Sequence, residues 1–123
     1  DVFVMANRQL PGSHDVEGFG IVFLEAAASG LPVIGGRSGG VVDAVADGRT
    51  GLLVDGHDVE ELAGAAARLL NDRPLAESMG RAGRRRVCEE LTWERSAERV
   101  AELLGALPPR RGRRRDGTSP CRR

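Results

Sequence analysis

The sequence predicts an α/β fold built on a parallel sheet. Short apolar runs alternate with helical segments, the runs are apolar at consecutive positions, and the links between segments are short. Alternating strands and helices with short links are typical of a parallel sheet. A sheet that is covered on both faces requires strands that are apolar throughout. Because only three such runs are present, we expect about half of a doubly wound, Rossmann-like sheet, followed by C-terminal helices.

The first half of the chain carries the three strands and two helices. Three consecutive alanines favour the first helix, and Gly30 followed by Pro32 ends it. The segment "VVDAVAD" is a short helix that ends at Gly48. The predicted strands lie at about 2–5, 32–35 and 51–55, and the predicted helices lie at about 20–29 and 41–47.

Three further helices are predicted after the last strand. Asp58 caps the first, which places Leu62, Ala65, Ala66, Leu69 and Leu70 on one face. Pro74 is expected at the first position of the second, which runs to about Glu90. Thr92 caps the third, which is expected to continue to Pro108.

Composition divides the chain into two units. All 18 basic residues are arginine, and residues 108–123 hold seven of them with a single aspartate. We therefore predict a folded unit over residues 1–107 and an Arg-rich, disordered tail over residues 108–123. Arg-rich tails are solvated ends in some proteins and bind anionic lipid or nucleic acid in others. The chain has no run of eighteen apolar residues, and its two cysteines favour the reducing cytoplasm.

The segment "EGFG" at residues 17–20 lies where the first loop leads into the first helix. Ligands of open α/β sheets bind beyond the carboxyl ends of the strands, where helices begin. Gly18 and Gly20 allow the backbone to approach a ligand closely. The unpaired amides at about residues 19–22 suit a phosphate or sugar oxygen.

Two glutamates flank this helix start. Glu17 precedes it, and its carboxylate is able to accept hydrogen bonds from two adjacent sugar hydroxyls. Glu25 lies one turn beyond Ile21 on the same face, and its two oxygens match a cis-diol such as that of ribose. From physics alone, an ordinary dipole partner and a solvated helix glutamate are equally good interpretations. A dinucleotide fingerprint fails, because Phe23 stands where the third glycine is needed.

The same residues resemble a known family. "EGFGIVFLE" is similar to the E-x7-E element of the retaining GT-B glycosyltransferases of family 4, and the blocks "GLPVI", "SGG" and "GLLV" follow in that family's order. The resemblance covers residues 1–105 and looks closest to the GDP-mannose-dependent phosphatidylinositol mannoside mannosyltransferases. It implies a hexosyltransferase that moves mannose from a nucleotide sugar to a glycolipid or glycan, with retention and without a cofactor.

The resemblance also implies roles for individual residues. The donor sugar would be held by Glu17, Gly18, Phe19 and Gly20. The nucleotide would be held by Ile21, Val22 and Glu25. Ser38, Gly39 and Gly40 would line the edge of the site, although a plain turn at the start of a helix explains them equally well.

Much of the family's machinery does not match this chain. The family has an N-terminal lobe that binds the acceptor, and it has basic residues upstream that neutralise the diphosphate. We therefore expect no catalytic residue within the chain, and little or no activity from the chain alone. A non-catalytic nucleotide-sugar-binding module is the alternative. The expected partners are a nucleotide sugar and, through the missing lobe, a membrane glycolipid, with no nucleic acid; the expected location is the cytoplasm or the inner face of the membrane.

Overall fold

The centre of the molecule is a three-stranded parallel sheet. The computed structural model describes residues 1–9, 12 and 17–105, and its strands lie in the order β1-β2-β3. Val33 of the middle strand pairs with Phe3 on one side and with Gly51 on the other. The elements are β1 (Phe3–Met5), α1 (Ile21–Ala28), β2 (Val33–Gly36), α2 (Val41–Ala44), β3 (Gly51–Val54), α3 (Val59–Asn71), α4 (Arg73–Glu90) and α5 (Trp93–Leu104). The predicted α/β class, with a partial parallel sheet and C-terminal helices, is confirmed.

Both faces of the sheet are covered, and this explains the continuous apolar strands. Every residue of β2 is buried. Val33 belongs to a core cluster with Phe23 of α1, whereas its neighbour Ile34 belongs to a second cluster with Leu69 of α3 and Met79 of α4. Since successive strand residues point to opposite faces, Val33 and Ile34 each pack against helices on a different face of the sheet.

Helix α4 is joined to the carboxyl ends of α1 and α2 by side-chain hydrogen bonds. Arg84 donates a hydrogen bond to the backbone oxygen of Ala28, at the end of α1, at 2.6 Å. Arg86 donates to the backbone oxygens of Asp43 and Ala44, at the end of α2, at 2.7 Å each. These carbonyls have no partner within their own helices, so two arginines of a distant helix satisfy the carboxyl ends of both.

Helix α2 is shorter than the sequence predicts. It ends at Ala44 instead of continuing to Gly48, because Val45 has extended backbone angles (φ −108°, ψ 116°). The Val45 side chain is 1% exposed and belongs to the first core cluster. Burial of this β-branched side chain therefore takes precedence over the local helical pattern.

Two boundaries of the later helices also differ from the prediction. Asp72 caps α4 and Arg73 is its first residue, so Pro74 occupies the second helical position instead of the first. Helix α5 ends at Leu104, before the predicted stop at Pro108, because Gly105 adopts a left-handed conformation with φ 58°. Glycine adopts this conformation without strain, and it commonly terminates helices in this way.

The predicted tail at residues 108–123 lies outside the described residues, so the domain boundary at residue 107 stays a prediction. Across the ranges that the structure describes, no helix has the length and apolarity of a membrane-spanning segment.

Candidate functional site

Glu17 lies at the edge of the sheet formed by the carboxyl ends of the strands. Its side chain is half-buried and accepts a hydrogen bond from Nδ2 of Asn7, two residues after β1, at 3.0 Å from Oε2. Its backbone oxygen accepts a hydrogen bond from the amide of Gly40, four residues after β2, at 3.0 Å. The loop that carries Glu17 is therefore fastened beyond the ends of two adjacent strands, where ligands of open α/β sheets bind.

The chain between Glu17 and α1 runs close to the start of α2. A Cβ atom on Gly40 would lie 2.0 Å from the backbone oxygen of Gly18, so only glycine permits this approach. Gly20 is buried and left-handed, with φ 76° and ψ 54°, and a Cβ atom there would lie 2.7 Å from the ring of Phe23. Phe19, between Gly18 and Gly20, is exposed. Gly18 and Phe19 are thus exposed to solvent, while Gly20 and Gly40 beside them are held by close packing.

Helix α1 begins without a side-chain cap. Gly20 occupies the cap position, and the first turn contains no acidic residue. The amide of Phe23 donates to the oxygen of Gly20 at 3.0 Å. The amides of Ile21 and Val22 lack an acceptor within the helix, and both residues are exposed. This helix end therefore offers outward amides and the positive end of its dipole to an anion or a sugar oxygen.

Glu25 lies on the exposed side of α1. Within residues 1–9, 12 and 17–105, no side chain donates to its carboxylate. Ile21, four residues earlier, is 51% exposed, so the two side chains share one solvent-facing surface of the helix. Glu17 thus lies four residues before the first residue of α1, and Glu25 lies on the exposed side of that helix. The role of each residue stays a prediction.

Asn7 is the residue of this site that the sequence analysis missed. It reads as part of a polar loop in the sequence. Its position directly after a buried strand was the available signal, because residues at the carboxyl ends of parallel strands line the ligand crevice. The hydrogen bond to Glu17, ten residues later, depends on the path of the loop and has no sequence signature.

The two arginines nearest this edge differ in their contacts. Arg37, next to β2, donates to the backbone oxygen of Leu53 at 2.9 Å and lies 3.9 Å from Asp47. Those contacts hold its side chain on β3. Arg8 is exposed beside Asn7, and in the part of the chain that the structure describes it forms no ion pair. Among the described residues, no group of three His, Cys, Asp or Glu side chains is arranged to hold a metal ion.

Comparison with known families identifies the domain. The sequence pattern of the family described as "Glycosyl transferases group 1" matches residues 1–86. The chain belongs to this family of glycosyltransferases. The family prediction made from "EGFGIVFLE" and the blocks that follow it is confirmed.

Curated relatives of this glycosyltransferase chain include lipid mannosyltransferases. The chain is 49% identical over 104 residues to the GDP-mannose-dependent alpha-(1-6)-phosphatidylinositol monomannoside mannosyltransferase of Mycobacterium tuberculosis, with 85% of this chain and 27% of the relative covered. It is 45% identical over 108 residues to the GDP-mannose-dependent monoacylated alpha-(1-6)-phosphatidylinositol monomannoside mannosyltransferase of Corynebacterium glutamicum. That alignment covers 88% of this chain and 28% of the relative. The chain therefore spans about a quarter of the length of these relatives.

Solved glycosyltransferase structures share the fold. Sucrose-phosphate synthase from Thermosynechococcus elongatus superposes with a TM-score of 0.68 at 40% identity, covering 73% of this chain and 23% of that one. Anabaena Alr3699/HepE in complex with UDP superposes with a TM-score of 0.70 at 25% identity, covering 77% and 26%. Both comparisons support assignment of the sheet and helices to a glycosyltransferase domain.

Proposed function

We propose that this chain is the C-terminal, donor-binding part of a retaining mannosyltransferase that uses GDP-mannose. The observation that carries the proposal is the position of Glu17. Its carboxylate is fixed by Asn7 at the carboxyl edge of the sheet, beside the uncapped start of α1. In a chain of the glycosyltransferase family, such a carboxylate next to free amides suits the junction between a sugar and a diphosphate.

Each part of the site has a proposed task. The Glu17 carboxylate accepts hydrogen bonds from sugar hydroxyls, with the backbone of Gly18, Phe19 and Gly20 against the sugar. The amides of Ile21 and Val22 bind the diphosphate and the adjoining nucleotide, because the helix dipole stabilises negative charge there. The exposed Glu25 accepts hydrogen bonds from both ribose hydroxyls.

The proposed donor is argued from the names of the relatives. The two curated relatives described above are named as GDP-mannose-dependent, whereas the Anabaena structure holds UDP. We propose GDP-mannose as a donor substrate with no separate cofactor, and UDP-glucose as the competing donor. The acceptor proposed from the relatives' names is a phosphatidylinositol mannoside, and the proposed location is the cytoplasm or the inner face of a membrane.

The chain alone is proposed to bind donor without catalysing transfer. It spans about a quarter of its relatives, and the acceptor site is proposed to lie in the remaining part of such a protein. The described part of the donor site also has few cations for a diphosphate: Arg8 is exposed at this edge, while Arg37 is bound to β3. Weak stabilisation of the leaving diphosphate is expected to leave the chemical step slow.

Calorimetric titration with GDP, GDP-mannose, UDP and UDP-glucose tests the proposal. We expect GDP-mannose to bind most tightly, and we expect Glu25→Ala to weaken every nucleotide, because the ribose is common to all four. Glu98→Ala is the matched control, since Glu98 is an exposed helix glutamate on α5. If the folded chain binds none of the four ligands, the proposed function is wrong for this chain.

A further inference from the structure

Asn7, which follows β1, is linked to Glu17 by a side-chain hydrogen bond. Its Nδ2 atom donates to Oε2 of Glu17 at 3.0 Å across ten residues of chain. Oε1 of Glu17 has no partner among the described residues, and the Glu17 side chain is half-buried. One carboxylate oxygen is therefore fixed by the protein, and the other is available to a ligand.

The backbone of Asn7 is held by the ends of the neighbouring strands. Its amide donates to the oxygen of Met5 at 3.0 Å. A Cβ atom on Gly36, at the end of β2, would lie 1.8 Å from the Asn7 oxygen, and one on Gly56, after β3, would lie 2.3 Å from it. Because Gly36 and Gly56 lack side chains, the backbone of Asn7 fits into a narrow space beyond the ends of the strands. The position of its Cα atom, and so the base of its side chain, is therefore fixed.

The other end of the Asn7 amide is not satisfied. Its Oδ1 atom is buried and has no hydrogen-bond partner within the ranges that the structure describes. A buried polar atom without a partner destabilises a fold. Rotating the amide would bring Oδ1 against the Glu17 carboxylate, so the charge of Glu17 selects the observed orientation. The fold therefore tolerates an unsatisfied oxygen in order to direct a donor at Glu17.

We propose that Asn7 is a positioning residue of the donor site. It holds the Glu17 carboxylate so that Oε1 faces the sugar hydroxyls, and it acts on the sugar only through Glu17. This inference rests on the proposed function, since it assigns Asn7 to the same donor site. A supporting shell of this kind fixes the geometry of the group that touches the ligand.

Asn7→Ala separates positioning from stability. Because the substitution removes an unsatisfied buried oxygen together with one hydrogen bond, we expect the melting temperature to stay unchanged or to rise. We expect the affinity for GDP-mannose to fall about tenfold, because the unsupported Glu17 carboxylate then loses roughly one hydrogen bond to the sugar. The affinity for GDP, which lacks the sugar, is expected to stay unchanged. Asn71→Ala, at an exposed position at the end of α3, is the matched control and should change neither affinity.

Two further variants test whether Asn7 acts through Glu17. Glu17→Gln should cause the same selective loss, and the double variant Asn7→Ala/Glu17→Gln should lose no more than either single variant, because residues acting on one contact are not additive. Asn7→Asp should weaken GDP-mannose binding further, since two carboxylates then face each other. Fully additive losses in the double variant would overturn the proposal.

The outcomes also separate this inference from the proposed function. If Asn7→Ala lowers the melting temperature and weakens GDP and GDP-mannose equally, the role is structural and the inference is wrong, while the nucleotide site stands. If the wild-type chain binds GDP-mannose no more tightly than GDP, no sugar contact exists for Asn7 to position. The inference then fails together with the proposed sugar contact of Glu17, while the proposed nucleotide site stands. If the wild-type chain binds neither ligand, both the inference and the proposed function fail.

Discussion

Helices α1 and α3 pack on opposite faces of one sheet, yet their amino ends are built differently. Helix α3 begins with the side chain of Asp58, which accepts a hydrogen bond from the amide of Glu61 at 2.8 Å. Asp72 and Thr92 cap α4 and α5 in the same way. Helix α1 begins with Gly20 and has neither a side-chain cap nor an acidic first turn. Three of the five helix starts that the structure describes have a side-chain cap, whereas α1 and α2 begin at Gly20 and Gly40 without one. The short α2 has an acidic residue, Asp43, in its first turn, and α1 has none, so the start of α1 is the one that suits a bound anion.

The two ends of α1 show the same contrast. At its carboxyl end, the oxygen of Ala28 accepts a hydrogen bond from Arg84, and that of Ala27 accepts one from the amide of Gly30 at 2.8 Å. Only the amino end, beside Glu17, lacks a cap. An uncapped helix start therefore indicates a candidate ligand site most clearly when the carbonyls at the other end of the same helix are all hydrogen-bonded.

The largest effect is expected from breaking the left-handed start of α1. Gly20→Ala forces a side chain into φ 76° and places Cβ 2.7 Å from the buried ring of Phe23. We expect a loss of about 3 kcal/mol in the free energy of unfolding, from backbone strain and overpacking together. Urea unfolding measures it.

Gly64→Ala on α3 is the matched comparison for Gly20→Ala. A Cβ atom on Gly64 would meet nothing within 4 Å, so alanine is expected to stabilise the helix by about 0.5–1 kcal/mol. Equal effects of the two substitutions would contradict the assigned difference between the two helices.

The next effect concerns the carboxyl end of α2. Arg86→Ala removes both hydrogen bonds to the oxygens of Asp43 and Ala44. We expect a loss of about 2 kcal/mol, because hydrogen bonds from a charged donor are stronger than neutral ones. Thermal unfolding compares it with Arg85→Ala, an exposed neighbour; a similar loss in both would show that the contacts to α2 are not responsible.

Removing the cap of α3 should cost less. Asp58→Ala deletes the acceptor for the Glu61 amide, and we expect a loss of about 1 kcal/mol. Chemical unfolding of this variant beside Glu60→Ala isolates the cap, since Glu60 is exposed in the same first turn. A cap that contributes nothing would remove the contrast between α3 and α1.

The smallest effect should come from the ion pair in the first turns of α4. The hydrogen bond and charge of Arg73, 2.8 Å away, lower the pKa of Glu77 from its ordinary value of 4.5. A carboxyl with a lowered folded-state pKa stabilises the fold above its unfolded-state pKa, and this contribution is lost as the pH falls through the folded-state pKa. The pair is exposed, so solvent screens it and the effect is slight.

Melting temperatures measured from pH 6 to pH 3 test this pair. The difference between the wild-type chain and Glu77→Gln should shrink as the pH falls below about 4.5. Glu60→Gln is the control, since Glu60 forms no ion pair with any residue that the structure describes. A difference that is constant across the range would contradict the assigned cause.

Much of the fold was accessible from sequence because local patterns dictate it. Continuous apolar runs predicted the strands that contain Ile34 and Leu52, and capping residues predicted the starts of α3 and α5. The end of α2 was predicted wrongly, because burial of Val45 overrides its helical surroundings. The end of α5 was also wrong, because glycine at position 105 permitted an earlier stop.

For the candidate site, the sequence by itself supplied Glu17, Glu25 and the glycine-rich helix start, through the resemblance of "EGFGIVFLE" to the E-x7-E element and through the one-turn spacing of Ile21 and Glu25 on α1. The tertiary structure alone decided that Asn7 holds Glu17 and that Gly40 receives its loop. It also decided that Arg84 and Arg86 close the ends of α1 and α2. Periodicity and capping act within a few residues, whereas these contacts depend on where parallel strands and crossing helices bring distant parts of the chain together.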